Sequence, residues 1–200
     1  ASYSSVEVMT SLYAYNIQVY CDFSGYSDIA IGSALLLGYR FKINFDAPYL
    51  AKTFSGFWRR WHVSLSAWFR DYLYIPLGGS RRSSGRTMVN LWIVFILAGI
   101  WHGANWTFLL WGLYHGAWLV AERLTGQRPV GDGASWVPLR RAITLLAVMV
   151  GWVLFRSPDA GYAFEYLGAM FSLGGITPEV ITNAVDTRVW HCEFAPLIFN

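Results

Sequence analysis

The chain is 200 residues long, with 55% hydrophobic, 18% aromatic and only 14% charged residues, proportions of a protein solvated largely by lipid rather than water. A net charge of +3, with the fifteen basic residues unevenly spread rather than gathered in one patch, argues against a nucleic-acid partner. Cys21 and Cys192 lie far apart without CxxC spacing, which suggests neither a zinc site nor a disulfide framework, and both read as buried thiols. The chain opens at Ala1 with no basic-then-apolar leader and closes on "LIFN", as expected of a piece of a longer protein, so any number of spans is a lower bound.

The first candidate span runs from Leu12 to Tyr39, with an aromatic-rich first half interrupted by Asp22 and Asp28. Two readings stay open: an aromatic belt at the headgroup layer with wet aspartates, or a polar break in a membrane helix. From Arg40 to Arg86, nine basic residues face only Asp46 and Asp71, the bias that marks a cytoplasmic side. Within that region "FWRRWHVSLSAWFRDY" sets Trp58, Trp61, His62, Leu65, Trp68, Phe69 and Tyr72 at helical spacing. The spacing predicts one amphipathic helix over 57–72, lying at the membrane surface with its arginines toward phosphates or water. Pro76 and the Gly78-Gly79 pair end it in a basic, solvated loop.

Thr87 to Ala121 contains no Asp, Glu, Lys or Arg. As one straight helix it would be about 50 Å long, beyond a hydrocarbon core of about 30 Å. Helix propensity fails around Gly99, Gly103 and Asn105, and both ends of the run are basic. A hairpin follows, entering and returning on the cytoplasmic side, with arms of roughly 22 to 27 Å and His102 deep, near the far end of the membrane, at the floor of a cavity. Residues 127–141 read as a loop and 142–155 as another short apolar span. Beyond Arg156 five acidic residues stand against Arg188 alone, an exterior tail. The resulting fold class is all-α: a polytopic membrane protein with broken or re-entrant and interfacial helices.

Four histidines carry the candidate chemistry. His191 reads as structural, its ring hydrogen-bonded within the core. His102 lies where an ionisable group is costly to keep, which points to function. Desolvation penalises imidazolium, so a neutral ring is expected, and a neutral ring can take a proton from an attacking hydroxyl. A metal held by His102, His115 and His62 is not supported, because no HxxxH or HxxE pair occurs. Ser24, Ser27, Ser64 and Ser66 lie near aromatic segments, but no GxSxG elbow is present.

The segments "FWRRWHVSLSAWFRDYLYIPLGGSRR" and "NLWIVFILAGIWHGANWTFLLWGLYHGAWLVAER", with "YCDFSGYSDIAIG" and "NFDAPYL" upstream, resemble the membrane-bound O-acyltransferase family, in its bacterial alginate O-acetyltransferase type. The resemblance is dense over 12–125 and makes residues 1–200 part of a single domain of a substantially longer family fold. It implies a multi-spanning fold that thins the bilayer, with a cytoplasmic opening for an acyl donor and an exterior funnel for the acceptor. It also implies His102 as the catalytic histidine and His62 as the second polar position, and His115 matches the subgroup pattern; Asn105, close to His102, is a further candidate polar position.

The leading functional reading is an O-acyltransferase of the bacterial inner membrane, without a bound cofactor. It would pass acetyl from acetyl-CoA or a related thioester toward an exported polysaccharide such as alginate. Arg59, Arg60, Arg81 and Arg82 are candidate contacts for donor phosphates or for anionic membrane lipids. Periplasmic polysaccharide-acetylation proteins are the partners that the resemblance implies, with the sugar acylated directly or through them. Two readings from other classes are a transporter or channel subunit lined by broken spans, and a non-catalytic assembly subunit of an exopolysaccharide machine.

Overall fold

The computed structural model describes residues 4–126 and 135–171. Regular structure among them is entirely helical. Helix α1 (Ser5–Leu36) opens on a reciprocal cap, in which the Ser4 hydroxyl accepts from the Glu7 N–H and the Glu7 carboxylate accepts from the Ser4 N–H. It runs unbroken for 32 residues, about 48 Å. The polar break considered at Asp22 and Asp28 therefore does not occur. Both side chains are exposed, so the helix carries them without burying charge. Cys21 is exposed too, on the same outward surface, which corrects its reading as a buried thiol.

The segment after α1 departs most from expectation. In place of one amphipathic helix over 57–72 there are two short ones, α2 (Phe54–Trp58) and α3 (Val63–Phe69), followed by a π-type turn over Arg70–Tyr74. The break falls at His62, whose backbone sits in the left-handed region at φ 46° and ψ 55°. Tertiary contacts override helical periodicity here. The Val63 N–H donates to the Asn44 carbonyl and the Asp46 N–H to the Arg60 carbonyl, so an irregular strand of chain laces across the break. Trp61 and Phe69 are buried as the spacing suggests, but Trp68 and Tyr72 are exposed. At the other end of α2, the Phe54 and Ser55 N–H groups donate to the two carboxylate oxygens of Glu122, at 2.9 and 2.8 Å. The helix N-terminus is thus capped from a distant helix.

The charge-free run forms the expected hairpin of α4 (Ser84–His102) and α5 (Trp106–Leu124), turning at residues 103–105. Each arm has 19 residues, about 28 Å, longer than expected because both helices continue into their flanking polar residues. Gly99 and Gly112 meet at the crossing. A Cβ on the first would strike the Phe108 carbonyl and on the second the Phe95 carbonyl, so glycine lets the backbones touch.

Helix α6 (Val137–Arg156) packs on α5, where the Tyr114 hydroxyl donates to the Ala147 carbonyl at 2.7 Å. It begins inside the stretch read as loop: Pro138 sits in the first turn, where no N–H is needed because no helical carbonyl precedes it to accept one. Helix α7 (Ala160–Phe171) closes against α6 and the start of α1, burying Val8, Leu12, Met149, Val153 and Tyr166 together. Helices α4 and α6 are each long and apolar enough to cross a membrane. His191 and most of the acidic tail lie outside the described residues.

Candidate functional site

Helices α1, α3, α4, α5 and α6 surround a cavity of about 750 Å³ whose lining is rich in aromatic rings, among them Trp58, Trp61, Trp101, Trp111, Trp152 and Phe155. His62 and His102, 40 positions apart in sequence, both line it. They arrive from different elements, His102 as the last residue of α4 and His62 at the break before α3. The His102 ring is gripped edge-to-face by Trp101, Trp111 and Phe155, with centroids 5.0, 5.2 and 5.0 Å away. Such rings fix its orientation while leaving the imidazole nitrogens chemically free to meet a ligand.

His62 is held differently. Phe23 of α1 packs edge-to-face on the ring at 4.7 Å, and the ring Nδ1 lies 3.2 Å from the Asn44 side-chain oxygen. That oxygen also accepts from the Ser64 N–H at 3.2 Å and the Ser64 hydroxyl at 3.0 Å. The Asn44 amide nitrogen donates to the Ser27 hydroxyl on α1, which is buried. Two of the serines near aromatic segments, Ser27 and Ser64, thus belong to one polar cluster around His62. Asn44 escaped notice in the sequence, because a lone amide in the irregular segment "NFDAPYL" has no periodicity to mark it.

The other expected site residues separate. His115, 2% exposed on α5, lies behind the cavity wall rather than on it: the Trp58 indole N–H donates to its Nδ1 at 3.3 Å, and Phe54 stacks on its ring. Asn105 caps α5, its side-chain oxygen accepting from the Thr107 N–H and its amide donating to the Pro158 carbonyl at 2.8 Å. Among the arginines, Arg59 lines the cavity with Lys42 and Arg70. Arg60 turns to Asp46, and Arg82 lines a shallow polar hollow with Arg86 and Pro76. Arg81 lines neither. Arg70 is also paired with Asp71 at 2.7 Å, which holds the Asp71 carboxyl below its usual range.

Among the described residues the fold is all helical, with two helices long and apolar enough to cross a membrane and an aromatic cavity that two histidines enter. The model of the membrane-bound O-acyltransferase family matches residues 4–128, and the chain belongs to that family. It is 51% identical over 176 residues to the probable alginate O-acetylase AlgI of Azotobacter vinelandii, covering 88% of this chain and 35% of that one. It is 41% identical over 197 residues to the peptidoglycan O-acetyltransferase of Helicobacter pylori, covering 92% and 36%. The teichoic acid D-alanyltransferase of Bacillus subtilis is 29% identical over 146 residues, covering 70% and 36%. The chain spans about a third of the length of these relatives.

Proposed function

We propose that this chain forms the histidine-bearing part of a membrane O-acetyltransferase that moves acetyl from a cytoplasmic thioester, acetyl-CoA, toward an exported polysaccharide such as alginate. The observation that carries the reading is the meeting of His62 and His102 in one aromatic cavity. The relatives support it, since alginate, peptidoglycan and teichoic acid are all polymers and the groups named, acetyl and D-alanyl, are both acyl. The protein would then be a multi-pass component of the bacterial inner membrane.

In this reading an acceptor hydroxyl attacks the thioester carbonyl carbon. As the new C–O bond forms, His102 takes the hydroxyl proton; as the C–S bond breaks, the same proton passes to the departing thiolate, leaving ester and free thiol. The apolar rings packed around His102 lower the local polarity and so strengthen electrostatic contacts with the reacting carbonyl. Arg59 and Lys42 offer positive charge at the same cavity for donor phosphates, Arg70 there being paired with Asp71, whereas Arg81 and Arg82 lie away from the cavity as candidates for lipid headgroups and Arg60 is turned to Asp46. The acceptor is either the polysaccharide or a periplasmic acetylation protein that carries the group onward.

The test uses full-length protein in inside-out vesicles supplied with labelled acetyl-CoA. His102→Ala is expected to stop transfer of label while membrane abundance stays at the wild-type level. Full labelling by that variant would overturn the assignment, and the molecule on which wild-type label comes to rest identifies the acceptor.

A further inference from the structure

The cluster around His62 settles a question of proton placement. The Ser64 backbone N–H can only donate, and it points at one end of the Asn44 amide, so that end is the carbonyl oxygen. The opposite end donates to Ser27, which is consistent with the same orientation. A carbonyl oxygen can only accept, so hydrogen on the His62 Nδ1, 3.2 Å from it, completes the contact. The other tautomer would leave the Nδ1 lone pair facing that oxygen and would need the Ser64 hydroxyl to give up its 3.0 Å bond to Asn44 for a longer 3.4 Å one to Nδ1. The Ser64 hydroxyl agrees: with its own hydrogen given to Asn44, it turns a lone pair toward Nδ1, 3.4 Å away.

We infer that Asn44 is a positioning residue, whose side-chain carbonyl holds His62 with hydrogen on Nδ1 and so presents Nε2 to the cavity as a lone-pair nitrogen able to accept a proton. The cluster also explains the strained backbone. A non-glycine residue at positive φ persists only where its surroundings over-determine it. Here the Asn44 main chain takes the Val63 N–H while its side chain takes the Ser64 N–H and the His62 ring. One residue thus sets both the backbone bend and the ring that the bend presents. The role in catalysis rests on the acyl-transfer reading above; the tautomer does not.

The experiment is nitrogen NMR of full-length protein in lipid nanodiscs with ring-15N histidine, the His62 signals being assigned by their loss in His62→Gln. Wild type is expected to show a protonated Nδ1 and an unprotonated Nε2 at neutral pH. Asn44→Leu should admit the other tautomer and slow acetyl transfer by about 10²-fold, the scale of a misplaced reacting group. Asn44→Asp, which keeps an acceptor oxygen, should restore the Nδ1–H form and most of the rate. Hydrogen on Nε2 in wild type would overturn the inference whatever the Asn44 variants do. So would unchanged tautomer and rate in folded Asn44→Leu. If wild type shows the Nδ1–H form but transfers no acetyl, the positioning stands and the functional reading fails.

Discussion

Among the described residues the imidazole of His115 has one hydrogen-bond partner, and that partner is a donor. Because an indole N–H cannot accept, Nδ1 of His115 must offer a lone pair, which puts hydrogen on Nε2. Nε2 finds no hydrogen-bond partner among the described residues and lies against Gly151 of α6. His62 and His115 therefore hold opposite tautomers for opposite reasons, one facing an acceptor and the other a donor. The Trp58→Phe substitution removes the indole N–H together with part of the ring's packing on Phe95 and Trp111, and strands Nδ1 of His115. It is expected to destabilise the protein by about 1–3 kcal/mol, the penalty for a buried group left unpaired, read from thermal unfolding of full-length protein in detergent. An unchanged midpoint would show that the indole N–H contributes nothing there. His102 was legible in the sequence because an ionisable side chain stands out in a charge-free run. The tautomers and their partners were not, because Asn44 and Trp58 come to their histidines across 18 and 57 positions.

At the scale of helices, the α4–α5 hairpin depends on the contact of Gly99 with Gly112. Gly112→Ala is expected to push the arms apart, costing about 1–3 kcal/mol as other overpacked sites do, and to lower transfer by displacing His102 from the cavity. Gly168→Ala on α7 is the control: a Cβ there meets nothing within 4 Å, and removing a helical glycine should leave stability unchanged or raise it by about 0.5–1 kcal/mol. Equal effects of the two substitutions, measured by denaturation midpoint, would discount the crossing. The hairpin could be read from sequence because a charge-free run, a glycine-rich centre and basic ends are all local signals. The division of residues 54–74 into α2, α3 and a π-type turn could not. Its apolar spacing suits one continuous helix, and what breaks it is the backbone pairing with residues 44–46 together with the remote clamp of Glu122.

Taken whole, the described residues leave a broad apolar surface uncovered. Ile29, Leu36 and Leu37 of the α1 region are 71%, 90% and 76% exposed, as suits lipid or further helices of the same fold. Orientation is testable on full-length protein stripped of native cysteines. Arg82→Cys is expected to react with an impermeant maleimide from the cytoplasmic face. Ala104→Cys, at the exposed hairpin turn, is expected to stay unlabelled from that face; equal labelling of both would refute a membrane-crossing hairpin. The size of the cavity carries a last consequence. At about 750 Å³ it offers far more room than an acetyl group occupies. Volume alone therefore does not select a two-carbon acyl chain, and each water admitted would be a rival nucleophile in sight of the same imidazoles. Under the proposed acyl transfer, the indoles and phenyl rings would set the partition between ester formation and wasteful hydrolysis, and the fidelity of the site would be the ratio of ester made to free acetate released.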